Sequence, residues 1–301
     1  MIKGPLYVLY GSDAMGGVIY AEPEKFKSMD GLDIDYTGIY NSNYNGLTNN
    51  LGINGKSGNF SFNLRAEMID NDNFSSPDGE VENTWFEQNE IKAGIQYSGE
   101  KLNSELRLSI VESTLGLPHM DEDHDEHGDE DHDEHGDEDD DEHGDEDHDE
   151  HMDEDHEEGE AELDMELLTN TLDINLILPQ SEDFNLILGT SLLSQTNKNF
   201  GHEILIPDAE VNDFGLYALG EISFGNSSDA IIGLRYDKRS ISSGIYSSDY
   251  SNFNGALGFK KEFTTSTLRF NLSSGYRSPN LVELYSDGAH HSTSVSYTHL
   301  T

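Results

Sequence analysis

The sequence predicts an all-β chain whose strands assemble as a transmembrane antiparallel β-barrel. Three observations predict it. Apolar and polar residues alternate, the alternating segments run to about ten residues or more, and short and long connections take turns between them. Alternation sends successive side chains to opposite faces of a sheet. Segments of roughly ten residues suit tilted strands that cross a bilayer. Tight turns at one end and long loops at the other are the habit of outer-membrane barrels. A soluble all-β protein with half-buried sheets is the alternative, and it offers no reason for that parity.

Eleven strands are predicted, over 31–43, 48–57, 60–70, 90–99, 102–113, 165–180, 184–197, 213–225, 229–240, 251–263 and 266–278. In the third, Phe60, Phe62, Leu64, Ala66 and Met68 alternate with Ser61, Asn63, Arg65 and Glu67. Leu106, Leu108 and Ile110 do the same in the fifth, and Leu172, Ile174, Leu176 and Leu178 in the sixth. Phe214, Leu216 and Ala218, then Leu268, Phe270 and Leu272, continue the rule, and no segment shows a helical period. Short connections fall at 57–59, 99–101, 180–183, 225–229 and 264–265. Long ones fall at 71–89, 114–164, 198–212, 240–250 and after Ser278. In this arrangement the polar face lines a wet lumen and the apolar face meets lipid.

Bulk composition narrows the partners. The 301 residues carry 61 acids against 16 Lys and Arg, a formal charge of −45. Of those acids, 28 fall between Asp121 and Glu162, where no Lys or Arg occurs. The remaining 33 acids still outnumber the bases, which argues against nucleic-acid phosphate as a partner. Cysteine is absent, so neither a disulfide framework nor a thiolate metal site is available. No apolar run is long enough for a transmembrane helix, and the N-terminus lacks the apolar core of a signal peptide.

Residues 121–159 form a degenerate octad repeat, opened by Asp-Glu-Asp-His-Asp-Glu-His-Gly at 121–128. His119, His124, His127, His132, His135, His143, His148, His151 and His156 are nine of the thirteen histidines in the chain. With almost no apolar surface and strong self-repulsion, this tract is expected to be disordered without a ligand. Neutral imidazoles among carboxylates are ready ligands for zinc. Affinity order also admits Cu(II), Ni(II) and Co(II), and Ca²⁺ could use the carboxylates alone. The competing reading is a solvating acidic spacer, which a pure Asp/Glu tract would serve as well. Histidine at two phased places in most repeats favours metal.

The segment Gly4-Pro5-Leu6-Tyr7-Val8-Leu9-Tyr10-Gly11-Ser12-Asp13-Ala14-Met15-Gly16-Gly17-Val18-Ile19 resembles the closing stretch of the plug domain in TonB-dependent receptors. There Gly4, Pro5, Tyr10, Gly11, Gly16 and Gly17 match the motif, with the glycines permitting tight turns and close packing. Near the other end, Arg277-Ser278-Pro279-Asn280-Leu281-Val282-Glu283-Leu284-Tyr285 resembles a barrel segment of the same family, where a strand runs into an extracellular loop. Leu115-Gly116-Leu117-Pro118-His119 resembles the strand end that precedes the His- and acid-rich loop of its zinc-uptake branch.

The resemblance implies a partial barrel, about eleven strands of an expected 22, preceded by the end of a plug. The implied organisation is 1–27 plug end, 28–294 first half of the barrel, and 119–162 an extracellular His/Asp/Glu loop. It further implies an outer-membrane location in a Gram-negative bacterium, contact with membrane lipid, and import energised by a TonB–ExbB–ExbD complex through a segment this chain lacks. An open half-barrel would leave two unpaired edges in lipid, so the chain reads as a fragment. Residues 295–300 resemble the translation of a sequencing adapter, so His299 is left out of any site.

His290 and His291, beside Asp287 on the long-loop side, are a candidate ordered metal site, or else a solvated loop pair. His202 is a weaker candidate in another long loop. No pairing of nucleophile and general base stands out, and an enzyme is not expected. The expected function is import of zinc or a related divalent metal, which is cargo and not a catalytic cofactor. The alternatives are a receptor for a metal chelate such as a siderophore or haem, and a surface metal buffer or antigen without transport.

Overall fold

The computed structural model describes residues 23–77, 79–117, 163–181, 183–201, 204, 206–244 and 246–285. Eleven strands form one antiparallel sheet in chain order: β1 (Gly31–Asn41), β2 (Gly46–Ser57), β3 (Phe60–Asn71), β6 (Phe86–Ser98), β7 (Asn103–Leu117), β8 (Leu163–Ser181), β9 (Phe184–Asn199), β10 (Ala209–Ser223), β11 (Ser228–Ser243), β12 (Tyr246–Glu262) and β13 (Thr267–Ser273). The first and last of these are edges, and the sheet does not close. Between β3 and β6 lies a small hairpin of β4 (Ser75–Ser76) and β5 (Gly79–Glu80), and after β13 comes a short helix, α1 (Leu281–Tyr285). Among the described residues no helix is long and apolar enough to cross a membrane, which leaves crossing by strands open.

The two faces are the reverse of a soluble sheet. In β3, Phe60 is 59% exposed and Met68 60%, while their neighbours Ser61 and Asn63 are 2% and 8% exposed. Large apolar side chains stand outward on every long strand, from Leu32 to Leu272. A soluble monomer rarely exposes more than a few hundred Å² of contiguous apolar surface, so this face calls for an apolar cover, and its alternation with a polar face is the pattern of a membrane strand. At the tight-turn end, outward aromatic residues recur along the sheet: Phe60 packs on Tyr97 with ring centroids 5.2 Å apart, and Phe224 and Phe263 lie at the β10–β11 and β12–β13 turns. Aromatic girdles of this kind mark a membrane interface. Gly58 holds φ +57° in the β2–β3 turn, a conformation that costs other residues more.

Several predicted bounds move. The stretch expected as a loop at 240–250 is a hairpin with a two-residue turn, because β11 and β12 stay paired from Ser243↔Tyr246 downward and Gly244 adopts φ +48°. The strand predicted at 90–99 begins at Phe86, which pairs with both Asn71 and Leu115. The last strand ends at Ser273, not 278; beyond it Ser274 still donates to Gly255 O at 2.9 Å, and the chain then turns toward α1.

Candidate functional site

The inner, polar face carries paired charges in register across the sheet. One row runs from Asp33 through Asn54, Asn63, Gly94 and Arg107 to Asp173, Ser191, Gly215 and Asp237. Arg107 is ion-paired with Glu105 and stands directly across from Asp173. Arg235, with a side chain 6% exposed, donates to Asp237 Oδ1 at 2.6 Å and Ser191 Oγ at 2.9 Å. Its guanidinium lies 5.1 Å from the Tyr217 ring, whose hydroxyl donates to Asn175 Oδ1 at 2.6 Å. One row nearer the loops, Arg239 grips Asp213 through two bonds of 2.8 and 2.7 Å. A charge this buried persists only when it is paired and hydrogen-bonded, and each arginine here has its own carboxylate.

The segment leading into β1 is clamped onto this face. Arg65 donates Nε to Glu24 Oε2 at 3.0 Å and Nη2 to Glu24 Oε1 at 2.9 Å, and its Nη1 reaches Asp35 Oδ2 at 3.1 Å. Asn54 also donates to Glu24. These bonds, Arg65's first, hold the Glu24 carboxyl below the usual carboxylate range against the opposing effect of burial. Arg107 Nη1 donates to Glu24 O at 3.2 Å, and its guanidinium sits 4.4 Å from the Phe26 ring centroid. Ser61 Oγ donates to Lys27 O at 3.1 Å. Gly52 and Gly94 leave the room: a Cβ at Gly52 would run into Arg65, and one at Gly94 into Asn63 and Phe26.

The long-loop end gathers the other features. The acidic histidine tract leaves from and returns to the paired residues Leu117 and Leu163. Asn83, at φ +55°, donates Nδ2 to Leu117 O at 2.7 Å and to Leu163 O at 3.5 Å. Trp85 Nε1 donates to Asn83 Oδ1 at 3.1 Å, and Gly116 N donates to Trp85 O at 3.2 Å. Loop 72–85 therefore clasps the base of the tract. Farther round, Ile206, Val211, Ile241 and Leu281 form an apolar cluster that seats α1 on the inner face.

The Arg-x-Pro motif acquires a physical meaning there. Asn280 Oδ1 accepts from Glu283 N at 2.8 Å and Glu283 Oε2 accepts from Asn280 N at 3.0 Å, a reciprocal capping box for α1. Arg277 Nη2 pairs with Glu283 Oε1 at 2.6 Å, and Tyr285 meets Tyr246 edge to face at 5.9 Å.

The tract histidines from His119 to His156, together with His202, His290 and His291, lie outside the described residues, as do plug-motif residues Gly4 to Gly17 and the segment 295–301. Among the described residues no group of three or more His, Cys, Asp or Glu is placed to hold a metal. Sequence reasoning missed Asn83 and the Glu24–Arg65 clamp. Asn280 followed three residues later by Glu283 was a readable N-cap signal. The clamp left none, because its partners are 41 residues apart.

Residues 26–299 match the family described as "TonB dependent receptor-like, beta-barrel". No curated protein matches the chain. Among solved structures, the ferric enterobactin receptor PfeA (G324V mutant) of Pseudomonas aeruginosa is similar at 10% identity and a TM-score of 0.55, over 94% of this chain and 49% of that one. The FrpB iron transporter of Neisseria meningitidis (F3-3 variant) aligns at 12% identity and a TM-score of 0.44, over 84% of this chain and 47% of that one. The chain thus spans about half the length of each of these proteins, and at 10% identity the likeness to the PfeA structure shows the fold alone.

Proposed function

Because the chain belongs to the TonB-dependent receptor-like β-barrel family, we propose that it is part of an outer-membrane importer of zinc or a related divalent metal. The observation that carries this reading is the tract: nine histidines phased among Asp and Glu, inserted between the paired residues Leu117 and Leu163 at the long-loop end. Imidazole and carboxylate together suit zinc, and dense repetition lets a released ion rebind before it escapes. The tract is the extracellular capture element, with His290 and His291 as the next ligands toward the barrel mouth.

Residues 1–27 end a plug, and 28–294 supply the first half of a barrel. Further strands would cover the edges of β1 and β13, since unpaired strand edges are not tolerated in hydrocarbon. The polar inner face then lines the lumen against the plug, and import is energised by a TonB–ExbB–ExbD complex. An anionic metal chelate would dock poorly beside so negative a loop.

The test is growth under zinc chelation. A strain lacking the gene is complemented with the whole gene or with the whole gene lacking residues 119–159. Growth rescued by the first and lost with the second, and restored by added zinc, is the expected result. Rescue that is specific for a ferric chelate, and indifferent to zinc, would sink the zinc reading.

A further inference from the structure

The loop end of β1–β6 carries a recess apart from the charge pairs of the inner face. The β1–β2 turn, the start of loop 72–85 and the β4–β5 hairpin wall a cavity of about 430 Å³. Tyr44 and Trp85 contribute aromatic rings to it, its other lining residues are hydroxyl, amide and carboxylate side chains, and no Lys, Arg or His is among them. The volume falls within the roughly 300–1,000 Å³ of small-molecule sites.

The polar groups are already held in place by one another. Asn45 Nδ2 donates to Asp72 Oδ2 at 2.8 Å, and Asn73 Nδ2 to Glu80 Oε1 at 3.2 Å. The amide oxygens are committed as well. Asn43 Oδ1 accepts from Ser75 N at 3.1 Å, Asn45 Oδ1 from the Tyr40 hydroxyl at 3.1 Å, and Asn73 Oδ1 from Thr84 N at 2.8 Å. Trp85 spends its indole N–H on Asn83 and so offers the recess its ring.

That pattern discriminates between ligands. A hard cation such as Ca²⁺ takes about six to eight oxygens, and the amide oxygens that would complete such a cage each already accept a hydrogen bond, leaving one lone pair apiece. Among the described lining residues an anion finds no cationic partner. An apolar molecule would strand the carboxylates. What a ligand meets is the second oxygens of Asp72 and Glu80 as acceptors, the Asn43 amide N–H as donor, hydroxyls that serve either way, and two aromatic rings. A hydroxyl group both donates and accepts, so neighbouring hydroxyls on a ring satisfy a carboxylate and an amide together. The C–H faces of that ring pack on the aromatics.

We propose that this recess binds a polyhydroxylated ligand, a saccharide, held between Tyr44 and Trp85 with its hydroxyls on Asp72, Glu80 and Asn43. The residues are fixed before binding, which lowers the entropy cost of capture. The same chemistry could come from a soluble oligosaccharide or from the sugar head of a membrane glycolipid.

The test uses the complete receptor, purified in detergent, and two arms. One offers an array of defined soluble oligosaccharides. The other offers phosphatidylcholine vesicles with and without glycolipid extracted from outer membranes. Glu80→Ala and Trp85→Phe are compared with the parent, and heat-modifiable gel migration checks that each barrel is folded. Binding of at least one saccharide, weakened about ten-fold or more by Glu80→Ala and measurably by Trp85→Phe, is expected. Binding on the array identifies a soluble source; binding only to glycolipid vesicles identifies the membrane. No binding in either arm, or saccharide binding indifferent to both substitutions, overturns the proposal. So does calcium binding that Glu80→Ala abolishes while every saccharide is refused. None of these outcomes depends on zinc.

Discussion

Replacing Arg65 with alanine should release the segment that enters β1. Arg65 makes two bonds to Glu24, at 3.0 and 2.9 Å, and two to Asp35, at 3.1 and 3.3 Å. Charge-assisted bonds contribute about 1.5–3 kcal/mol each when dry. Here the Glu24 side chain is 32% exposed and Asp35 is 50% exposed, so screening removes much of that. A net loss of about 1–3 kcal/mol is reasonable, borne by local opening of residues 23–30 and not by the whole sheet. Lys25 is already exposed and Lys27 half-buried; opening frees the backbone at both for the protease, so trypsin reads it directly. In the complete, folded receptor, cleavage after these lysines should accelerate by about 5- to 150-fold in the variant, provided reclosing outruns cleavage.

The pH dependence has a definite sign. Glu24 is held below the usual carboxylate range in the folded chain, so its contribution is present above the unfolded carboxylate range. It is lost as pH falls through the lowered folded value, and the cleavage rates of parent and variant, each corrected for trypsin activity, should converge there. A cleavage rate unchanged within two-fold at neutral pH would refute the clamp. So would equal acceleration by Arg65→Ala in a Glu24→Gln, Asp35→Asn background, where the carboxylates it pairs with are already gone.

Asn83→Ala should loosen the base of the tract at a cost of about 1–2 kcal/mol, since two carbonyls lose their donor and φ +55° suits alanine poorly; hydrogen exchange should quicken near Gly116 and Asp164. Glu283→Ala should cost α1 about 1 kcal/mol through the lost capping box, seen as faster exchange over Leu281–Tyr285. Leu64→Arg, on the apolar face, should destabilise the complete barrel in lipid vesicles by about 2–4 kcal/mol in urea unfolding, whereas Ser61→Ala on the inner face should cost far less; equal costs would contradict the assignment of faces. Zinc binding to the tract should weaken as pH falls through the imidazole range, because the bound form needs neutral histidine, and titration calorimetry at pH 7.5 and 5.5 would show it.

How much of this was legible depended on period and range. In β3 the alternation of Phe60 to Met68 with Ser61 to Glu67 reads off the strand, its faces and nearly its bounds, because one face is apolar and the other polar throughout. Tyr246 to Ser251 carries no such alternation. Those residues extend β12 beyond the apolar zone, where backbone pairing with β11 and the packing of Tyr246 and Tyr250 against α1 and its apolar cluster hold the strand. A five-residue helix is too short to show a 3.6-residue period, so α1 was readable only through its cap. The charge pairs resisted in a different way. Arg65, Arg107 and Arg235 are plainly inner-face residues by parity, but which acid each would find is set by register and by the entry path of 23–30. The histidine tract was legible as chemistry alone, since composition specifies ligands without geometry.

Uptake of radiolabelled zinc tests the central claim most directly. Cells starved of zinc and carrying the complete gene should accumulate the label, cells whose gene lacks residues 119–159 should accumulate much less at low zinc, and collapse of the proton gradient should stop both. Uptake that is the same with and without the gene would contradict the account.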